Sequence, residues 1–328
     1  MTTFRALRVF DDSGLASARI VEMGLDELED DAVLVKGAYS GLNYKDALSI
    51  AGRGKIIRKF PLVPGCDYAG TVVRSRDQHF KEGDAIVLTG FEFGGSHNGG
   101  FAGYACVPAD WLVKLPTGLS PFDAMTLGTA GYTAALAVHL LQQNGVTPDK
   151  GRIAVNGATG GTASIGINML STLGYRVVAI TGKKATAETY LRALGAAEVL
   201  ERAECPAPRR PLESPLWAGA LDSVGGDGLA YLIATMQRYG VIASFGNTGG
   251  NDLKTSVLPF ILRGVRLVGT NANSPPEERA LVWERLASDL KPPKLTEIAT
   301  TIALDDLPGA VERMLAGHIR GRMVVRLE

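Results

Sequence analysis

Arg152-Ile153-Ala154-Val155-Asn156-Gly157-Ala158-Thr159-Gly160-Gly161-Thr162-Ala163-Ser164 is the stretch on which the reading of this chain turns. Residues 152–156 are a short apolar run that predicts a buried strand. Residues 162–173 carry helical periodicity, and the residues between are almost all Gly, Ala or Thr. A glycine triplet alone is weak evidence. Between a strand and a helix it has a mechanism: small residues let the chain turn tightly and bring backbone N–H groups to a pyrophosphate, which then faces the positive end of the helix. The stretch therefore predicts a dinucleotide site; the plainer reading is a tight turn with no ligand. Ala163 stands where a third glycine is usual, a position that serves helix–sheet packing and tolerates the change.

Downstream, strands are predicted at 152–156, 176–181, 198–200, 219–223, 240–245 and 266–270, and helices at 162–173, 187–194 and 228–238. Strands separated by helices of this length predict βαβ units and a parallel sheet. Residues 205–215 hold four prolines and read as a surface loop. Upstream, short apolar runs at 32–35, 70–73 and 85–88, divided by Gly, Pro and Asp, predict a β-rich region up to about Ser120-Pro121, where a helix should start. A helix near 277–290 and a strand at 322–327 complete the chain.

The second strand of the parallel sheet ends Thr181-Gly182-Lys183-Lys184, with no acid before Glu188. An NAD site would be expected to carry Asp or Glu there for the ribose 2′-hydroxyl. Two lysines instead favour a 2′-phosphate, so the cofactor expected is NADPH. A solvated lysine turn is the bland alternative, but it leaves the missing acid unexplained.

With 328 residues, 46% of them hydrophobic, the chain is long enough for two domains. Lys plus Arg equals Asp plus Glu at 34 each, so no global field favours nucleic acid or an anionic membrane. No signal peptide or membrane-spanning run is apparent, and a cytoplasmic location is expected. Cys66, Cys106 and Cys205 are widely spaced, which argues against disulfides and against a cysteine zinc site, and His79, His97, His139 and His318 show no metal spacing.

Longer strings extend the reading. Tyr39-Ser40-Gly41-Leu42-Asn43-Tyr44-Lys45-Asp46, Pro64-Gly65-Cys66-Asp67-Tyr68-Ala69-Gly70, Gly128-Thr129-Ala130-Gly131-Tyr132, Pro259-Phe260-Ile261-Leu262-Arg263 and Gly321-Arg322-Met323-Val324-Val325 resemble the zinc-independent quinone oxidoreductase branch of the medium-chain dehydrogenase/reductases. Within it, they are similar to the acrylyl-CoA reductases and quinone oxidoreductases of bacteria. The resemblance implies an α/β protein: a GroES-like β-barrel catalytic domain (residues 1–122 and 272–328) plus a doubly wound, parallel-sheet Rossmann domain for NADPH (residues 123–271). It also implies a homodimer formed through the edge of the cofactor sheet. Zinc-containing relatives place a cysteine at Asn43, a histidine at Cys66 and a cysteine near Thr129; Cys66 alone cannot make a three-ligand catalytic site, so no metal is expected.

The same resemblance implies cofactor contacts at Tyr44, Thr159, Gly160, Gly161, Thr162, Thr181, Gly182, Lys183, Arg202, Asn247, Ile261 and Ala272. The stretch Gly269-Thr270-Asn271-Ala272 departs from the Asp-Ser usual in related reductases, which bears on substrate preference. Without a metal, hydride from NADPH should reach an acceptor that tolerates charge: a quinone, an enone or an acrylyl-CoA-like thioester. Tyr44 is the candidate catalytic or cofactor-orienting group. Asn43 holds the nicotinamide ribose or a carbonyl, or else simply caps the helix beginning at Tyr44. His97, in the glycine-rich loop 90–100, is a candidate acid but more commonly such a residue is polar surface. Arg53, Lys55, Arg58 and Lys59 either bind the phosphates of CoA or form a solvated basic turn. A non-catalytic NADPH-binding redox sensor or structural protein is the alternative to an enzyme.

Overall fold

The computed structural model describes residues 2–327. The chain divides into two compact units, Met1–Thr129 with Leu295–Glu328, and Ala130–Lys294. These divisions fall later in the chain than the sequence expectation of 122/123 and 271/272. One reason is visible in the packing: Trp283, from the segment expected in the catalytic domain, is buried 6.2 Å from the ring of Tyr132 in the second unit.

The first unit opens with a hairpin, β1 (Thr3–Asp12) and β2 (Leu15–Gly24), turned by Ser13 and Gly14 at φ 60° and 86°. Two successive positive φ values match the right-handed twist of the flanking strands. There follow β3 (Val33–Leu42), α1 (Tyr44–Ile50), β4 (Asp67–Ser75), β5 (Ala85–Thr89), β6 (Tyr104–Val107) and the two-residue β7 (Val113–Lys114). The expected β-rich region is thus observed, and it also contains the β1–β2 hairpin, which the sequence reading did not single out. Helical residues of α2 (Pro121–Gln143) are interrupted at Gly128, whose φ of 51° and ψ of −155° are not helical. By length and composition α2 could cross a membrane, but its most apolar window is 83% buried in the fold.

The second unit contains β8 (Arg152–Asn156), α3 (Gly161–Thr172), β9 (Arg176–Thr181), α4 (Lys184–Ala193), β10 (Glu198–Glu201), β11 (Trp217–Asp222), α5 (Gly226–Thr235), β12 (Met236–Ser244), α6 (Leu258–Arg263), β13 (Arg266–Gly269) and α7 (Pro276–Leu286). Its strands form one six-stranded parallel sheet in the order β10-β9-β8-β11-β12-β13. In chain order that is 3-2-1-4-5-6, the doubly wound pattern, and the order reverses beside β8, where ligands bind in such sheets. The expected helix 228–238 stops at Thr235. Met236 already pairs with Trp217 across β11, and Arg263 donates to the carbonyls of Ala234 and Met236, so tertiary contacts override a helix-compatible sequence.

The tail returns to the first unit as α8 (Leu295–Ile298), β14 (Ala299–Ala303), α9 (Leu307–Leu315) and β15 (Arg322–Arg326). There β15 pairs antiparallel with β3, in a seven-stranded sheet ordered β14-β15-β3-β4-β5-β7, with β6 also on β3. Leu7, Val9, Val33, Leu62, Ile86, Phe101 and Val325 are fully buried in its core.

Candidate active and cofactor sites

In the first unit, Asn43, Cys66 and Thr129 come together at the ends of β3, at the start of β4 and just past the Gly128 break. The Cys66 sulfur lies 3.4 Å from Asn43 Nδ2 and 4.0 Å from Thr129 Oγ1. These are the three positions that the sequence resemblance sets against zinc ligands. Here an ion pair occupies the centre. Asp67, fully buried, accepts from Asn43 Nδ2 at 2.8 Å, from Thr129 N at 2.9 Å, from Thr129 Oγ1 at 2.5 Å and from Arg322 Nη2 at 3.3 Å. Arg322, delivered by β15, also donates to Asn43 Oδ1 at 2.8 Å and to the carbonyl of Thr126 at 3.1 Å. The glycines make room for this: a Cβ on Gly128 would lie 2.2 Å from Asp67 Oδ2, and one on Gly41 2.7 Å from Arg322 Nη2.

Asn43 stands at the N-cap position of α1 with extended φ and ψ, yet the hydrogen bond there runs from its backbone N–H to Asp46 Oδ2 at 2.8 Å. Its side chain is held by Asp67 and Arg322. Tyr44, the first residue of α1, is 51% exposed, which leaves its phenol accessible. Asp46 is buried; burial, then the negative charge of Asp67, pushes its carboxyl up to about 6. Burial, with the charges of Asp46 and Asp67, also pushes the Cys66 thiol well above its usual range. A neutral thiol beside an amide and a hydroxyl is a poor metal ligand set. Among the described residues no cluster of three or more His, Cys, Asp or Glu side chains has metal-binding geometry.

In the second unit, the turn after β8 takes the expected shape. Gly157 has φ 59°, and a Cβ there would strike Ser223 Oγ at 2.2 Å. Thr159, Gly160, Gly161 and Thr162 carry the chain into α3, whose N-cap, Gly160, has no side chain to satisfy the first N–H groups. Beside this turn lies a cavity of about 600 Å³ lined by Asn156, Gly157, Gly182, Glu201, Arg202 and Tyr231, among others. Its size suits a nucleotide. The Arg202 guanidinium lies over Gly182, so close that a Cβ there would come within 2.8 Å of it.

Two acids line this cavity, Glu201 at the end of β10 and Asp227 in the first turn of α5, and neither comes from the end of β9. Glu201 is already committed: it accepts from the N–H of Arg202 at 3.1 Å and from that of Lys184 at 3.2 Å. Thr181 Oγ1 accepts from Lys183 N at 3.1 Å, which shapes the turn after β9, and Lys183 is the N-cap of α4. Gly182 and Arg202 are therefore brought together with Gly157. Asn247, Ile261 and Ala272 do not line the cavity: Asn247 donates to Asn251, Ile261 is 68% exposed on α6, and the Ala272 carbonyl accepts from Arg279.

Several buried polar residues carry the architecture but drew no role from the sequence: Asp67, Arg322 and Asp222. Asp222, at the end of β11, accepts from Asn156 Nδ2 at 2.6 Å and Ser244 Oγ at 2.7 Å, locking three strand ends beside the glycine turn. His97 is not surface. It is buried against Asp31 and the carbonyl of Asn98, 2.7 Å from each, and it pins the glycine-rich loop.

Residues 29–117 match the alcohol dehydrogenase GroES-like domain family. The chain is 46% identical to YhfP of Bacillus subtilis (strain 168), named as a quinone oxidoreductase, over 99% of both chains. It belongs to the zinc-independent quinone oxidoreductase branch of the medium-chain dehydrogenase/reductases. The acrylyl-CoA reductase AcuI of Ruegeria pomeroyi, from the same branch, is 44% identical over 98% of both chains. Solved structures in this branch superimpose closely. The yhdH oxidoreductase from Salmonella enterica in complex with NADP has a TM-score of 0.96 at 43% identity, covering 99% of this chain and 100% of that one. YhfP of Bacillus subtilis with NAD bound has a TM-score of 0.97 at 46% identity, covering both chains fully.

Proposed function

We propose that this branch member is an NADPH-dependent oxidoreductase that reduces an activated carbon–carbon double bond, as in an acrylyl-CoA-like thioester, or a quinone. The observation that carries the cofactor choice is Arg202 lying over Gly182 in the nucleotide cavity, where each oxygen of Glu201 already accepts from a backbone N–H. A free carboxylate there would hold a ribose 2′-hydroxyl; a guanidinium there holds a 2′-phosphate. Relatives have been solved both with NADP and with NAD, so the preference rests on these side chains.

The residues fit the group. The first N–H groups of α3 hold the pyrophosphate, with Thr159, Gly160, Gly161 and Thr162 around it; Thr181, Gly182, Lys183 and Arg202 hold the adenosine end. Asn247, Ile261 and Ala272 remain candidates for the rest of the cofactor. When bound, NADPH supplies the hydride. Tyr44, half-exposed at the start of α1, donates a hydrogen bond to the oxygen on which negative charge collects. Asn43 acts as a positioning residue, since both ends of its amide are held by Asp67 and Arg322. The buried Asp67–Arg322 pair, Asn43 and Thr129 fill the ground that a metal would need.

The same reading includes a homodimer. Strand β13 is the outer strand of the parallel sheet, and Val257, Ile261, Leu262 and Tyr239 nearby are all more than half exposed, a patch suited to a second copy.

An acceptor panel tests the activity: acrylyl-CoA, crotonyl-CoA and 1,4-benzoquinone, each with NADPH. Turnover of at least one supports an enzyme. NADPH binding with no turnover of any of the three favours the sensor or structural role. Light scattering of the eluting species reads the oligomeric state, and a monomer at micromolar concentration removes the dimer.

A further inference from the structure

Three of the four cations between Arg53 and Lys59 share one cavity. Arg53, Lys55 and Arg58 line a recess of about 490 Å³ with Ile56, Ile57, Phe60, Ala16 and Ser49, all within the first unit. Lys59 is not among its walls; it pairs with Glu29 at 3.4 Å. Arg58 pairs with Glu92 at 3.3 Å, but both side chains are at least half exposed, so a stronger anion can compete. Arg53 and Lys55 are exposed and make no ion pair among the described residues. The one acid in the recess, Asp11, is already accepting from the N–H of Gly14 at 2.6 Å.

The backbone holds this arrangement in an unusual form. Lys55 has φ 50°, a left-handed conformation uncommon for a residue with a side chain, and it follows Gly52 and Gly54, at φ 68° and 81°. The result is a loop that presents cations around a partly apolar floor, in a chain whose net charge is zero. A solvated basic turn has no need of a recess or of isoleucines and a half-exposed phenylalanine facing the same space.

The recess also lies at the far end of α1 from Tyr44. A helix of seven residues spans about 10 Å, and the loop follows it directly. A ligand with its reacting group near Tyr44 and its phosphates in this recess must carry an extended arm between the two. The phosphopantetheine arm of a CoA thioester is such an arm, and the adenosine attached to its diphosphate has a face that Phe60 and the isoleucines can cover.

We propose that Arg53, Lys55 and Arg58 form the anchor for the phosphates of CoA, making the chain selective for CoA thioesters over phosphate-free acceptors. The inference rests on the acyl-thioester arm of the function proposed above and names the subsite that would recognise it. Lys59 has no part in it.

The test uses the full-length protein, the double variant Arg53→Ala/Lys55→Ala and the control Lys59→Ala, with thermal melts to establish folding. Calorimetry with CoA itself reads the anchor without turnover. Steady-state KM for acrylyl-CoA against acrylyl-pantetheine, which lacks the phosphates, reads its use. The expected result is a weakening of CoA binding by tenfold or more in the double variant. The preference for acrylyl-CoA over the pantetheine thioester should collapse by a similar factor, and Lys59→Ala should stay within twofold of the parent. Parental CoA affinity in the folded double variant, or no CoA binding by the parent, overturns the proposal. If CoA binding depends on Arg53 and Lys55 but no thioester is reduced, the anchor stands and the acyl-thioester reading of the activity falls.

Discussion

The guanidinium of Arg322, on the last strand, lies 3.3 Å from the carboxylate of Asp67, and the two side chains are 4% and 0% exposed. The pair joins β15 to β4 across 255 residues of sequence and holds Asn43 and Thr129 in place. It therefore links completion of the fold by the tail to the geometry beside Tyr44. Replacing Arg322 with Met leaves Asp67 buried without its counter-charge, at a cost of about 3–5 kcal/mol. Urea unfolding should show that loss. The Asp67→Asn/Arg322→Met double variant should lose less than the two single variants summed, because one partner no longer strands the other.

The same pair makes a prediction about metals. Catalytic zinc needs three protein ligands, and these positions offer an amide, a neutral thiol and a hydroxyl already donating to Asp67. Activity should survive prolonged dialysis against EDTA unchanged, and added zinc should not raise it. Activity lost to EDTA and restored by zinc would show that the ion-paired site is not what replaces the metal.

Asp46 sets a pH dependence of stability. Its carboxyl titrates near 6 in the folded protein and near 3.9 in an unfolded chain, a gap worth about 3 kcal/mol. A raised acid pKa means that the folded state holds the proton longer. Below about pH 4 the group is protonated in both states and imposes no penalty. As pH rises from about 4 to 6 the unfolded state ionises first, and stability falls by up to that amount; above 6 the penalty is constant. Denaturation midpoints of the parent and Asp46→Asn should differ in slope across this window, the variant being flatter. Parallel curves would show that Asp46 does not set this dependence.

Arg202 carries the nucleotide preference. Arg202→Ala should raise KM for NADPH about tenfold to a hundredfold, the range expected for loss of a hydrogen bond to a charged group, with little change in KM for NADH. Equal effects on both nucleotides would mean that Arg202 acts on the fold or on the shared part of the cofactor.

What the sequence made legible was local. The turn at Gly157 was readable because strand, glycines and helix are contiguous, and the period of each neighbour points the same way. The Asp67–Arg322 pair was not, although both residues lie in strings that carry the family resemblance, because nothing in either string says that it meets the other. The helix expected over 228–238 ran too far because Met236, Gln237 and Arg238 are helix-compatible, and only the pairing of Met236 with Trp217 of β11 and the Arg263 contacts end it. An isolated loop histidine reads as a candidate acid or as polar surface; the burial of His97 comes from Asp31, far earlier in the chain. The opening hairpin had a signal, Ser13-Gly14 between apolar runs. Glu201 could not be placed in the nucleotide cavity before the sheet order set β10 beside β9.

The most direct measurement follows the hydride. Acrylyl-CoA is incubated with NADPH deuterated at the transferable position, and the acyl product is examined by mass spectrometry and NMR. The expected product is a saturated thioester with one deuterium at the β-carbon, its α-carbon proton drawn from solvent. Oxidation of the deuterated cofactor with no label in the thioester, or a labelled product formed only from the NADH analogue, would contradict it.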